Sequence, residues 1–178
     1  MNRTLQVKKT TDVATELLTK EEFKTWARID TADDDTLIES LITQVRDSIE
    51  RKTGLAIGEQ EIEVIADLCG TEYELPRGPN QTSVVVEIKQ SETDWDMLTV
   101  NTEYDLEETD FVKIQSYPAG RLRITYTTGY DTDLPASLKL LWMKLTLAHY
   151  EIRGDTGTEN IKQLENELNQ YKRFTNLL

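Results

Sequence analysis

The residues able to carry catalysis or to hold a metal are few in this sequence. It has one histidine, His149, and one cysteine, Cys69. A Ser–His–Asp or Cys–His catalyst would have to use His149, yet that residue lies within an apolar stretch with no catalytic motif around it. One histidine and one cysteine cannot supply the usual zinc ligands, and a single cysteine excludes an internal disulfide framework. We therefore interpret His149 as a structural residue and expect no metal site and no cofactor.

Carboxylates are abundant, with 33 aspartates and glutamates in the chain. The run Asp33, Asp34 and Asp35 is similar to the start of a calcium loop, but an EF-hand needs glycine at its sixth place and glutamate at its twelfth. Counted from Asp30, those places hold Asp35 and Leu41. A carboxylate pair could serve a glycosidase, although nothing in the sequence selects one. The nucleotide-binding patterns GxxxxGK[ST] and GxGxxG do not occur. The sequence thus predicts a protein that is not an enzyme.

The net charge of −13 is concentrated in the middle of the chain. Residues 58–134 carry −12, whereas residues 1–57 carry −2 and residues 135–178 carry +1. A chain this acidic is repelled by phosphate backbones, so we do not expect sequence-specific DNA binding. The simplest interpretation is that the acidic side chains keep a solvated surface soluble.

Two amphipathic helices are predicted over residues 19–54. Thr19 followed by Glu22 is a capping box, which should open a helix ending near residue 29 or 30. The three aspartates at 33–35 suit the start of the second helix, where their carboxylates would accept from free backbone N–H groups. Apolar residues then recur at helical spacing, and Gly54 predicts the stop. Residues 1–16 are polar without a period and predict an N-terminal arm.

The middle of the chain predicts strands. Alternating or β-branched runs occur near residues 61–66, 84–88, 99–106, 111–114 and 122–127. Turn residues separate them at Gly70 and at 76–80, 91–96 and 118–120. We expect a small antiparallel sheet in an acidic β region over residues 58–128.

The last third predicts two more helices. Pro135 suits the first turn of a helix over residues 135–153 that is apolar almost all round. Its longest apolar run, 138–147, is too short to span a bilayer, and the N-terminus lacks the apolar core of a secretory signal. A C-terminal helix and tail follow over 158–178. The fold class is therefore α+β: a helical core with a β-rich insertion at about 60–128, in one domain over residues 1–178.

Two distant segments, taken in order, resemble the head–tail connector (adaptor) proteins of tailed phages. In that family a Leu-Thr opens a helix with a pattern like E-x-x-x-x-L-R-I-D, and aspartates and a helix ending in I-E-x-x-T-G follow. Here LT lies at 18–19, Glu22 follows, WARID lies at 26–30, and IERKTG lies at 49–54. Trp26 stands where the family usually has leucine.

The second segment resembles the same family. A strand runs into T-x-G-Y, then a Leu-Pro, then a helix ending in a Tyr-Glu-x-Arg phrase. Here TYTTGY lies at 125–130, LP at 134–135 and YEIR at 150–153, while LNQYKRF at 168–174 is similar to the closing L-x-x-Y-R phrase. Residues 60–122 match the family only in being β-rich.

The resemblance implies a structural virion protein of the head–tail interface, made in the bacterial host cytoplasm and not bound to a membrane. It would form a homo-oligomeric ring under the portal protein after DNA packaging, extend the DNA channel and bind the next neck or tail-completion protein. DNA would pass through without sequence-specific contacts. The alternative is a small acidic binding protein, such as a DNA-mimicking inhibitor.

Three groups of residues are predicted to serve this assembly. The apolar helix has more apolar surface than a monomer can hide, so it predicts a subunit interface at Leu138, Met143, Leu147 and Tyr150. The basic and then apolar end predicts a portal-docking tail at Lys172, Arg173, Phe174, Leu177 and Leu178. The acidic region predicts a channel wall, or merely a surface, at Glu59, Glu61, Glu63, Glu103, Asp105, Glu107, Glu108 and Asp110.

Overall fold

The computed structural model describes residues 3–11, 13–79, 81–107, 111–115, 119–152 and 158–173. These residues form four α-helices, one short 3-10 helix and eight strands, which makes the fold α+β as predicted. The chain divides into two compact units, each built from separate stretches of sequence. We call them the β unit, which takes in the chain up to residue 14 and again over 58–130, and the helical unit, which takes in 15–57 and 131–173. The expectation of a single domain stays a prediction.

Helix α1 (Lys20–Ala27) begins at the predicted capping box. The Oγ1 of Thr19 accepts a hydrogen bond from the backbone N–H of Glu22 at 3.2 Å, which satisfies one of the free donors of the first turn. The helix ends before the predicted residue 29 or 30, because Arg28 takes the left-handed conformation with φ 57°. Phe23 is fully buried on its inner face.

Helix α2 (Asp35–Thr53) has the predicted apolar stripe and the predicted stop. Its buried face includes Ile38, Ile42 and Ile49, and Gly54 closes it at φ 76°. The predicted capping by an aspartate is wrong at Asp34. This residue is the N-cap, but its side chain makes no capping hydrogen bond. Its Oδ2 accepts from the Tyr150 hydroxyl at 2.6 Å instead, so a tertiary partner has replaced the local one.

Helix α3 (Ala136–Glu151) packs against α2. The fully buried Trp142 donates its indole N–H to the Ile42 carbonyl at 3.0 Å. Together with the Tyr150–Asp34 contact, this pairing shows that α2 and α3 run antiparallel. Pro135 stands at the N-cap of α3, one place before the predicted first turn.

Helix α4 (Thr158–Glu167) runs directly into the 3-10 helix Leu168–Tyr171. Leu164 and Leu168 are the buried side chains of this segment. The 3-10 helix contacts α2, so the C-terminal segment packs against the predicted helix pair, in agreement with a helical core.

The β unit holds two antiparallel sheets. The larger one has the order β1-β2-β8-β4-β5, and the smaller one has the order β3-β7-β6. The strands are β1 (Arg3–Thr11), β2 (Gln60–Cys69), β3 (Glu72–Glu74), β4 (Thr82–Lys89), β5 (Trp95–Met97), β6 (Tyr104–Glu107), β7 (Phe111–Ile114) and β8 (Ala119–Thr128).

One face of the larger sheet forms the core of the β unit. Side chains alternate strictly along β2, where Ile62, Val64, Ala66 and Leu68 are buried and the residues between them are half-buried. The register sets Val64 and Val86 on either side of Ile124, so three adjacent strands bury the same face.

The structure adds strands that the sequence did not predict. Strand β1 lies in the polar arm, β3 follows Gly70, and β5 overlaps the end of the predicted turn 91–96. The predicted strand 99–106 begins only at Tyr104, because the backbone N–H of Glu103 closes a turn on the Thr99 carbonyl at 2.8 Å. Residues 119–120 belong to β8 and not to a turn.

Candidate interaction surfaces

The four residues predicted at a subunit interface have two different environments. Leu138 is fully buried and Met143 is 8% exposed, both within the helical unit's own core. Leu147 and Tyr150 are half-buried. The apolar surface that prompted this prediction is therefore largely covered within the chain. Leu147 and Tyr150 are the members whose side chains keep solvent exposure, and the interface itself stays a prediction.

A group of charges joins α1 to the start of α2. Lys24 and Lys20 contact the Asp35 carboxylate at 2.5 Å and 3.2 Å, and Lys20 also contacts Glu39 at 2.8 Å. The hydrogen bond from Lys24, followed by that from Lys20, lowers the pKa of Asp35. Hydrogen bonds to Glu39 and Asp35 raise the pKa of Lys20 to about 12. Within the aspartate run, Asp35 therefore forms ion pairs with two lysines, whereas Asp34 binds the Tyr150 hydroxyl.

The phrase IERKTG at 49–54 makes a buried turn. The Glu50 Oε1 accepts the backbone N–H of Ile57 at 2.8 Å, although Glu50 is only 6% exposed. Thr53 donates to the Ile49 carbonyl at 2.8 Å and accepts from the Leu55 N–H at 3.2 Å. These bonds satisfy backbone groups where α2 ends, so Ile49, Glu50 and Thr53 each have a local structural role.

The phrase TTGY at 127–130 makes a second tight crossing, within the β unit. The Pro79 carbonyl accepts both the Thr128 hydroxyl at 2.7 Å and the Gly129 N–H at 2.9 Å. Gly129 has φ 135°, and a Cβ built on it would lie 2.0 Å from the carbonyl oxygen of Gly58. Only glycine fits there, because both the backbone angle and the space exclude a side chain.

The second face of the larger sheet is open and charged. Arg121 pairs with Asp67 at 2.7 Å, and this bond lowers the pKa of that carboxyl group. Arg123 pairs with Glu87 at 2.5 Å and stands 4.7 Å from the centre of the Trp95 ring. This face therefore carries paired charges of both signs and is not uniformly acidic.

The predicted acidic residues are dispersed over the β unit. Glu61 and Glu63 are half-buried on the open face of β2, and Glu59 is exposed just before it. Glu103 accepts the Thr99 N–H at 2.8 Å, so its carboxylate stabilises a turn. Asp105 lies opposite Lys113 in the smaller sheet, and Glu107 lies at the end of β6. Glu108 and Asp110 lie outside the described residues.

The predicted tail is attached at its base to α2. The Arg173 N–H donates to the Thr53 carbonyl at 2.8 Å, and Lys52 pairs with Glu165 at 2.5 Å. Lys172 is exposed, and Arg173 is half-buried. Phe174, Leu177 and Leu178 lie outside the described residues. The structure therefore places the base of the tail and leaves the docking itself a prediction.

None of the helices in the described ranges combines the length and the hydrophobicity that a bilayer span needs. Over the same ranges, no three His, Cys, Asp or Glu side chains are grouped so as to hold a metal ion. His149 is half-buried on α3, and Cys69 is an exposed free cysteine at the end of β2.

Comparison with known proteins identifies one family. The family model described as "Head completion protein" matches residues 16–159. No curated protein sequence matches the chain.

The fold is shared with solved structures of gene transfer agent (GTA) particles. A chain from the "Neck of empty GTA particle computed with C6 symmetry" has a TM-score of 0.73 at 17% identity, over 96% of this chain and 97% of that chain. A chain from the "Neck of native GTA particle computed with C12 symmetry" has a TM-score of 0.71 at 17% identity over the same shares. At this identity the likeness concerns the fold.

Proposed function

Because this chain belongs to the head completion protein family, we propose that it is a non-enzymatic ring component of a phage-like neck, seated under the portal after DNA packaging. The observation that carries the proposal is the family match over residues 16–159, joined to a fold shared along nearly the whole chain with proteins from neck particles. As a structural protein of the head–tail neck, it would extend the DNA channel and bind the next neck or tail-completion protein.

The ring is supported by the symmetry named for the related particles and by the surface of this chain. A closed ring needs a heterologous contact, in which one face of each copy meets a different face of the next. In the helical unit, the apolar side chains of Trp26, Leu37 and Leu140 are each about 40% exposed. With Leu147 and Tyr150, they are the apolar residues through which α1, α2 and α3 would contribute to that contact.

Portal docking is proposed for the C-terminal tail. Its base is fixed by the Arg173–Thr53 backbone bond, while Lys172 points a positive charge into solvent. Phe174, Leu177 and Leu178 follow directly, and each large apolar side chain that is fully buried contributes roughly 1.5–3 kcal/mol. A fixed base with an apolar end is suited to binding a pocket on a neighbouring protein.

For the acidic residues we propose a channel-facing role that acts by repulsion. Glu59 lies just before β2, Glu61 and Glu63 lie at its start, and all three side chains keep solvent exposure. A negative wall would let DNA pass without holding it. Glu103 also caps the 99–103 turn, and its channel-facing role stays a proposal, as do those of Asp105, Glu107, Glu108 and Asp110.

The test is binding to DNA-filled, tailless heads. The purified chain should attach at the portal vertex, and electron microscopy should show a ring there with cyclic symmetry. Heads that lack the portal are the control and should bind no ring. A protein that ignores portal-bearing heads and instead inhibits a DNA-binding enzyme would contradict the proposal and favour the acidic binding protein.

A further inference from the structure

The larger sheet has two free edges of opposite character. Its order places β1 at one edge and β5 at the other, so each has a strand neighbour on one side only among the described residues. An edge strand exposes a row of backbone N–H and C=O groups that can pair with a strand of another chain. Both edges also expose large apolar side chains, Leu5 and Val7 on β1 and Met97 on β5.

The β1 edge is positively charged. Strand β1 contains Arg3, Lys8 and Lys9 and no acidic residue. It is held to the unit from its inner side, where the Thr4 Oγ1 hydrogen-bonds the Tyr73 hydroxyl at 2.7 Å. The strand is thus a fixed basic edge in a chain whose net charge is −13.

The β5 edge is negatively charged. Glu92, Asp94 and Asp96 lie in or directly before β5, all three are exposed, and no basic residue occurs between residues 90 and 97. Met97 beside them is 69% exposed, the highest value for a large apolar side chain among the residues that the structure describes.

We propose that the β1 edge of one copy docks against the β5 edge of the next, which makes this contact part of the ring. The inference rests on the ring proposed above and names the surface that builds it. Two basic edges would repel each other in a two-fold contact, and so would two acidic ones. Only the head-to-tail pairing joins opposite charges and covers Leu5, Val7 and Met97, and a head-to-tail contact is what a cyclic ring requires.

Cysteine cross-linking tests which edges meet. Gln6 and Met97 both lie on the open face of the sheet at opposite edges, as their pairing with Ile65 and Glu87 shows. In a Cys69→Ser background, Gln6→Cys protein mixed with Met97→Cys protein and a short bis-maleimide should give covalent heterodimers. A chain carrying both changes should give a ladder up to the ring. A matched control pairs Met97→Cys with Glu72→Cys, an exposed position on the smaller sheet, and should give little product.

The outcomes separate the contact from the ring. If the wild-type protein forms rings but Gln6→Cys and Met97→Cys cross-link no more than the control pair, the edge contact is overturned and the ring is not. Homodimers of Gln6→Cys alone would show a two-fold β1 contact and would also overturn it. Wild-type protein that forms no ring, either purified or on portal-bearing heads, would overturn the proposed function and this contact with it.

Charge exchange gives an independent test. The single variants each reverse the charge of one edge: Arg3→Glu, Lys8→Glu and Lys9→Glu on β1, or Glu92→Lys, Asp94→Lys and Asp96→Lys at β5. Either one alters every contact of a ring and should weaken assembly about tenfold or more, because both edges then carry charge of the same sign. The double variant, with both edges reversed, has edges of opposite charge again and should regain assembly. Thermal unfolding of each variant controls for damage to the subunit, since Lys8 lies opposite Glu63 within it. Failure of the double variant to assemble, while it remains as stable as the single variants, would overturn the proposal.

Discussion

Gly129→Ala should destabilise the protein much more than Gly70→Ala, although both glycines have nearly the same backbone angle. Their φ values are 135° and 139°. Alanine pays about 1–3 kcal/mol for such a conformation at either position. The restriction that alanine places on the unfolded chain is also common to both, so it cancels in the comparison.

The difference between the two sites is the space around the added methyl group. At Gly70 nothing lies within 4 Å of it, whereas at Gly129 it would lie 2.0 Å from the Gly58 carbonyl oxygen and 3.0 Å from the Glu59 nitrogen. Both of these atoms are backbone, so no side chain can rotate away. Forcing them apart costs a further 1–3 kcal/mol, about the cost of overpacking a core. Gly129→Ala should therefore lose about 2–6 kcal/mol in total.

Urea and thermal unfolding measure this difference. An extra 1–3 kcal/mol corresponds to a Tm that is lower by about 2–12 °C for a chain of this length. Equal losses of stability in the two variants would show that the backbone at residues 58 and 129 can move apart at little cost in free energy. The added steric cost predicted for Gly129→Ala would then be wrong.

Three further predictions concern other parts of the chain. Glu50→Ala should lower the free energy of unfolding by about 1–3 kcal/mol, because it leaves a buried backbone N–H without its acceptor, while Glu50→Gln keeps an acceptor and should lose less in a urea titration. The lowered pKa of Asp35 stabilises the fold above the unfolded pKa of about 4, and this stability is lost as pH falls through the folded pKa. Asp35→Asn should therefore be less stable than wild type at neutral pH, and the difference in the free energy of unfolding should shrink in acid. Asp33→Asn, at the exposed neighbouring residue, is the control. Deletion of 174–178 should leave the unfolding curve unchanged and abolish binding to portal-bearing heads, and normal binding by the truncated chain would place the docking surface elsewhere.

The elements predicted from the sequence were those whose signals are local. The start of α1 depends on one hydrogen bond between Thr19 and Glu22, which are three residues apart. The end of α2 depends on the left-handed backbone conformation of Gly54. Strand β2 is predictable from its alternating apolar and polar residues, because one of its faces is buried along its whole length.

The elements that were missed depend on distant partners. Strand β1 is mostly exposed, and its partners on β2 lie 50 to 64 residues away in sequence, from Thr11–Glu61 to Arg3–Asp67, so its own residues show no alternation. Asp34 was expected to cap its helix and instead binds Tyr150, which a local pattern cannot reveal. The burial of Leu138 and Met143 likewise follows from packing within the helical unit, which covers a helix that by itself looked too apolar for a monomer.

Residues that stabilise the folded subunit are distinct from residues that would join one subunit to the next. Gly54 and Gly129 lie in the phrases that carry the family resemblance, and each has a positive φ that the fold of the subunit requires. No such backbone requirement applies to Lys8 and Asp96, since both are exposed at sheet edges and lie outside those phrases. Gly129→Ala should therefore lower the unfolding temperature while the folded fraction still assembles with normal affinity. Lys8→Glu should weaken assembly while the Tm falls little. If Gly129→Ala protein that is fully folded at low temperature fails to assemble, the 127–130 turn also serves the contact between subunits, and this separation is wrong.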